Sequence, residues 1–168
     1  MKKCILHIGM HKTGSSSIQA YLAKHRKNLG KGMKYANLGS PNHSGAFIYM
    51  FCKRLEDFPH FANRGLSVEE VQFKIERFRA NFIRELESDF DTLIFSGEEI
   101  VNLNESELNT LKKQLAQFVD EVEIVAYVRP PVSFMSSAFQ QRLNESPRVH
   151  RRPVCLSQAT LPDSFKLS

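Results

Sequence analysis

Short apolar runs alternate along this chain with longer stretches whose apolar positions recur at helical spacing. Lys3 to Ile8 is a near-continuous apolar run that stops at Gly9, the pattern of a buried strand. Ile18, Tyr21, Leu22 and Leu29 then recur at helical spacing and predict a helix from Ser15 to about Asn28. Gly30, Gly32 and Gly39-Ser40-Pro41 punctuate a loop region. Ala46 to Leu55 predicts a short apolar helix, broken at Phe58-Pro59. Ser67-Val68-Glu69-Glu70 has capping-box spacing, and Val71, Ile75, Phe78, Phe82, Ile83 and Leu86 extend it as a helix whose aromatic face reads as core packing. Asp91 precedes a compact β-type run, Thr92 to Ser96. Asn104-Glu105-Ser106-Glu107 opens a further capped helix carrying Leu108, Leu111, Leu115 and Phe118. Val122 to Val128 predicts another strand, bounded by Arg129-Pro130-Pro131, and a helix from Val132 to about Leu143 follows.

Strands that alternate with helices, and that are apolar throughout, predict an α/β fold: a parallel sheet covered by helices on both faces, hence three layers. Residues 1–143 read as one α/β domain. Residues 144–168, with Pro147, Pro153 and Pro162, read as an irregular tail. A length of 168 residues suits one domain with its own core. With 42% hydrophobic and 24% charged residues, wholesale disorder and collagen-like repetition are excluded. No apolar run approaches the ~20 residues of a membrane span. The basic start at Lys2-Lys3 is followed by too short an apolar stretch for a signal peptide.

Charge narrows the ligand class only a little. Lys plus Arg is 23 against 18 for Asp plus Glu, a formal net charge of +5. That excess favours anionic ligands, but does not by itself separate nucleic acid from a phosphorylated small molecule. The one basic cluster, Arg148, His150, Arg151 and Arg152, reads as a solvated tail. Cys4, Cys52 and Cys155 are odd in number and far apart, without zinc spacing, and read as reduced thiols of a cytoplasmic protein.

The strongest chemical signal is Gly9-Met10-His11-Lys12-Thr13-Gly14-Ser15-Ser16-Ser17, between the first predicted strand and the first helix. A glycine-bounded turn there lets backbone N–H groups converge on a phosphate, with the positive end of the helix dipole behind them. Gly9 and Gly14 meet the GxxxxG part of a Walker A loop. Ser15 stands where that loop has its lysine, and the lysine comes earlier, at Lys12. A plain Gly-Ser turn with a solvated lysine is the competing explanation, and the strand before and helix after weigh against it. The second signal is Arg129, after the last strand, with Ser137 eight residues further on and two turns into the next helix. Arg offers a planar fork and Ser a hydroxyl for a second phosphate. The third is Ser96-Gly97-Glu98-Glu99, which brings two carboxylates to a strand end where a general base is useful. Adjacent residues point in different directions, so one of the two is expected to face the cleft, Glu98 first and Glu99 second. Acidic residues opening a short helix are the simpler explanation of the pair. Of the histidines, His7 reads as a core residue, His11 as a possible ligand contact and Asn42-His43 as a surface loop.

His11-Lys12-Thr13-Gly14-Ser15-Ser16-Ser17-Ile18-Gln19 resembles the 5′-phosphosulfate loop of the sulfotransferase family, in its bacterial form, and Arg129 with Ser137 resembles that family's 3′-phosphate site. The resemblance runs in order through about the first 140 residues. It implies a P-loop NTPase-like sulfotransferase fold and 3′-phosphoadenosine 5′-phosphosulfate as donor, without a metal. It implies transfer of the sulfuryl group to a hydroxyl or amine of a carbohydrate, lipid or small alcohol. Lys12 is then the catalytic cation on the leaving phosphate. Thr13, Gly14 and Ser15 supply backbone donors, and Ser16 and Ser17 supply hydroxyls. Glu98 or Glu99 is the base. The glycine- and lysine-bearing segment that closes over the nucleotide in this family has no counterpart in residues 144–168. Two other readings therefore stand beside it: a P-loop nucleotide kinase or NTPase, against which the displaced lysine and the missing Walker B aspartate count, and a non-catalytic nucleotide-binding module.

Overall fold

The computed structural model describes residues 1–9, 11–26, 28–55 and 65–145, the last five of these as backbone only. Its elements, in chain order, are β1 (Lys3–His7), α1 (Ser15–Lys24), β2 (Met33–Tyr35), α2 (Ser44–Phe51), α3 (Val68–Glu87) and β3 (Thr92–Ser96). A short 3-10 helix (Glu98–Asn102), α4 (Glu105–Leu115), β4 (Glu121–Val125) and α5 (Pro131–Glu145) follow. The fold is α/β. Four strands make one sheet in the order β2-β3-β1-β4, and every pairing is parallel.

The strand order decides where a ligand site can lie. The chain leaves β1 toward β2 on one side and leaves β3 toward β4 on the other. Where connections depart in opposite directions from neighbouring strands, a crevice opens at their carboxyl ends. β1 and β3 are those neighbours, in a register that runs from Lys3 with Thr92 to His7 with Ser96. The loop after His7 and the turn after Ser96 thus emerge side by side.

The sheet's side chains alternate in destination, as a pleated strand requires. Leu93 and Phe95 join Cys4 and Leu6 in the main core, with Phe47 of α2 and Phe82 and Leu86 of α3. Phe82 and Phe47 lie 5.2 and 5.6 Å from the Phe95 ring, centroid to centroid. Ser96, on the opposite face, meets Gln19 of α1. The predicted face of α3 packs on the core: Phe82 and Leu86 are buried and Val71, Ile75, Phe78 and Ile83 lie against them, whereas Phe73, outside that face, is 66% exposed. Both predicted capping boxes form, at Ser67 with Glu70 and at Asn104 with Glu107.

Several boundaries differ from the sequence expectation. α1 stops at Lys24, four residues before Asn28, where His25 caps it through Tyr21. β4 runs Glu121–Val125 rather than Val122 to Val128, and it is an exposed edge whose Glu121 and Glu123 pair with Lys3 at 3.0 and 2.7 Å. β2 was not expected, since three residues within a glycine-rich stretch carry no readable period. α5 reaches Glu145, two residues into the predicted tail. Phe58-Pro59, the basic cluster at Arg148 to Arg152, Cys155 and most of the predicted tail lie outside the described residues. No helix among the described residues is long and apolar enough to cross a membrane.

Candidate functional site

Two segments carry the site: the loop from Gly9 to Ser15 after β1, and Gly97 to Glu99 after β3. The loop turns by left-handed backbone at two places. Gly14, the residue before α1, has φ 86°, which glycine adopts without cost. Lys12 has φ 66°, the one non-glycine residue with positive φ among those described. Left-handed backbone at a lysine costs of order 1 kcal/mol and persists only where the surroundings hold it. The Arg129 guanidinium supplies that hold, donating from Nη1 to the Lys12 carbonyl at 2.7 Å. The structure thus joins two stretches that the sequence separates by 117 residues.

Gly14 has no side chain to cap α1, and its carbonyl accepts from the Ser17 and Ile18 amides at 3.1 and 3.4 Å. The first amides of the helix, at Ser15 and Ser16, have no carbonyl within the helix to bond. The Ser15 side chain does not cap them either, because its hydroxyl donates to Glu98 Oε1. Ser16 and Ser17 are exposed, Thr13 is half-buried, and Ser137 is half-buried on α5.

Gly97 places the carboxylates. Its amide donates to the His7 carbonyl at 3.0 Å, continuing the β1–β3 ladder one step beyond the strands. A Cβ on Gly97 would lie 2.9 Å from the Ser44 amide nitrogen, so only glycine lets α2 come this close. The Ser44 hydroxyl in turn accepts from the Glu99 amide at 3.1 Å. Glu98 and Glu99 both face one cleft, contrary to the expectation that only one would. His11 explains this, with Nδ1 3.0 Å from Glu98 Oε2 and Nε2 3.2 Å from Glu99 Oε1. Both ring nitrogens donate together only in the imidazolium form; in the neutral ring one of the contacts must accept or break. Glu98 is buried, its side chain 10% exposed, against 23% for Glu99.

Beneath the site runs a buried polar chain. His7 Nδ1 lies 2.7 Å from Ser96 Oγ, and Gln19 Nε2 donates to the same oxygen at 3.0 Å. The Ser96 hydroxyl can accept from both, or accept from Gln19 and donate to His7 Nδ1, according to the His7 tautomer. Burial holds His7 below the usual imidazole range, opposed by the nearby Glu98 charge. His43 is a correction to the sequence reading: it is fully buried rather than on a surface loop. Its Nδ1 accepts from the Ser96 amide at 3.2 Å and its ring stacks on Tyr35 at 4.8 Å. Burial pushes its imidazole down to about 4.

A cavity of about 440 Å³ opens beside the carboxylates, with His11, Glu98 and Glu99 on one wall and residues of α2, α3 and the Leu38–Asn42 loop around it. That volume is within the usual range for small-molecule sites. Among the described residues no three His, Cys, Asp or Glu side chains are grouped as a metal site.

Comparison with protein-family models, with characterised proteins and with solved structures returns no match for this chain.

Proposed function

We propose that this chain binds 3′-phosphoadenosine 5′-phosphosulfate and transfers its sulfuryl group to an acceptor, on a three-layer, P-loop-like α/β scaffold. The observation that carries the reading is the meeting of three segments at one sheet edge. The loop with its uncapped helix start is tied to Arg129 through Lys12 and to Glu98 and Glu99 through Ser15 and His11, so helix-start amides, a guanidinium and two carboxylates share one place. A phosphorylated ligand gives all three a use.

In this reading the backbone amides of Thr13, Gly14 and Ser15, with the Ser16 and Ser17 hydroxyls, hold the 5′-phosphate. Lys12 meets the negative charge that builds on the bridging oxygen as the S–O bond breaks, which is electrostatic stabilisation by preorganised donors. The spare N–H groups of Arg129, with Ser137, take the 3′-phosphate, as a planar fork suits. The acceptor oxygen forms the new S–O bond, and its proton passes to Glu98. Glu98 is the better base of the pair because it is the more buried and is fixed by both Ser15 and His11. Its hydrogen bonds orient it; the acceptor must displace one of them to be deprotonated.

The test separates this reading from nucleotide phosphorylation. Binding of 3′-phosphoadenosine 5′-phosphate is expected in the presence of a metal chelator, with adenosine 5′-diphosphate binding at least tenfold more weakly. Magnesium-dependent ATP turnover without a preference for the 3′-phosphate contradicts the proposal and supports a P-loop kinase.

A further inference from the structure

Every oxygen of the carboxylate pair is engaged. Glu98 Oε1 accepts from the Ser15 hydroxyl, and Oε2 lies 3.0 Å from His11 Nδ1. Glu99 Oε1 lies 3.2 Å from His11 Nε2, and Oε2 accepts from the Asn102 amide group. Three of these four contacts come from the loop itself, through His11 and Ser15. Ser15 is also the first residue of α1, at the end where the proposed 5′-phosphate is held. An anion bound there sits beside the residue that bonds a buried carboxylate, with a second carboxylate close by. We infer that His11 is the counter-ion that lets the anion bind: its imidazolium pins Glu98 and Glu99 and offsets their charge, so the nucleotide prefers the protonated form of the chain, an inference that rests on the nucleotide reading of the same loop.

Like charges a few ångströms apart oppose each other, the more so where one is shielded from water. Five other ionisable groups surround the cluster. Lys12 belongs to the same loop, and Arg129 donates to the Lys12 carbonyl. Lys74 of α3 lines the same cavity as His11, Glu98 and Glu99. His7 of β1 lies close enough to feel the Glu98 charge, and His43 is buried beneath Ser96. Among the described residues, only His11 forms an ion pair with Glu98 or Glu99, and it reaches both. Histidine is the side chain that changes charge near neutral pH. When protonated, it donates from both ring nitrogens. When neutral, one nitrogen must accept, so one carboxylate loses its donor and the pair keeps its full negative charge. The ring is 51% exposed, so its proton exchanges with solvent. The sign follows: affinity for the nucleotide is highest while the ring is charged and falls as rising pH removes the proton. His11 is a positioning residue, acting on the nucleotide through the two carboxylates.

The test is a double-mutant cycle, read by calorimetric titration of 3′-phosphoadenosine 5′-phosphate into the full chain at about pH 6.5. His11→Gln is expected to weaken the nucleotide about tenfold, the effect of one charge-assisted contact. In a chain carrying both Glu98→Gln and Glu99→Gln, the same substitution is expected to cost less than about twofold, because the charge to be offset has gone. An equal loss in both backgrounds means that His11 meets the nucleotide directly or only shapes the loop, and it overturns the inference. No loss in the first background overturns it too. A second measurement uses the wild-type protein alone and so depends on no variant folding. Its affinity is expected to fall about tenfold between about pH 6.5 and 9, in step with loss of the His11 proton followed by the ring C–H signals. Bound nucleotide is expected to move that titration to higher pH. A His11 titration that the bound nucleotide leaves in place overturns the inference and leaves the donor site standing. Failure of the nucleotide to bind the wild-type chain overturns the donor reading, and this inference with it.

Discussion

At the scale of single residues, the site is held by contacts that admit few substitutes. Gly97 is the clearest case: its φ of −158° is ordinary extended backbone, so the constraint is space rather than conformation. Gly97→Ala sets a methyl group against the Ser44 backbone, which can yield only by moving α2. A loss of roughly 1–3 kcal/mol in chemical denaturation is expected, as for other overpacked positions. Glu98→Gln keeps the shape of the side chain but leaves one acceptor oxygen for the contacts of Ser15 and His11, and it removes the ability to take a proton. Sulfuryl transfer is expected to fall by a factor of about 100 or more, with nucleotide affinity retained. Glu99→Gln loses less. Wild-type turnover in both variants would remove the base from this pair. Sequence alone named both carboxylates but placed only one in the cleft. His11 and the 3-10 helix, which turn both toward the same cavity, have no marker in residue order.

At the scale of elements, legibility followed the strength of the local signal. Ser67 with Glu70 and Asn104 with Glu107 were readable because a capping box is a local device, complete within four residues. Ser67→Ala removes the acceptor for the Glu70 amide and is expected to cost about 1 kcal/mol in denaturant titration. An unchanged midpoint would mean that packing of Val71 and Ile75 alone holds the start of α3. β1 and β3 were readable as apolar runs. β2 was not, because Met33–Tyr35 owes its strand to pairing with Thr92, Leu93 and Ile94, which are remote in sequence. His43 departs from the sequence expectation for a related reason. The sequence around it reads as a turn, but its amide donates to the Ser96 carbonyl at 2.8 Å and draws it into the core. The sheet order, which brings the loop after β1 beside the turn after β3, is likewise a property of long-range pairing.

At the scale of the whole molecule, the buried histidines tie stability to pH. His43 moves from an ordinary value of 6.5 in the unfolded chain to about 4 in the fold. Between those values the unfolded chain binds the extra proton, so stability is complete above about pH 6.5 and falls as the pH drops toward 4. The loss is of order 3 kcal/mol at full extent. His7, shifted in the same direction, adds to it. Urea denaturation between pH 7.5 and 4.5 should show this decline. His43→Asn, which keeps an acceptor for the Ser96 amide, should flatten it. A flat profile in the wild-type protein would contradict the account of His43.

The same long-range order that buries these histidines bonds Arg129 to the Lys12 carbonyl and Glu98 to Ser15 and His11 of the same loop, and the central claim is that this loop receives a nucleotide with phosphates at both its 3′ and 5′ positions. Calorimetric titration of 3′-phosphoadenosine 5′-phosphate into the wild-type chain and the Lys12→Ala variant tests it most directly. Loss of a charge-assisted contact is worth about 1.5–3 kcal/mol, so the variant should bind at least tenfold more weakly than the wild type. No heat of binding to the wild-type protein at high ligand concentration, or equal affinity in the two proteins, would contradict it.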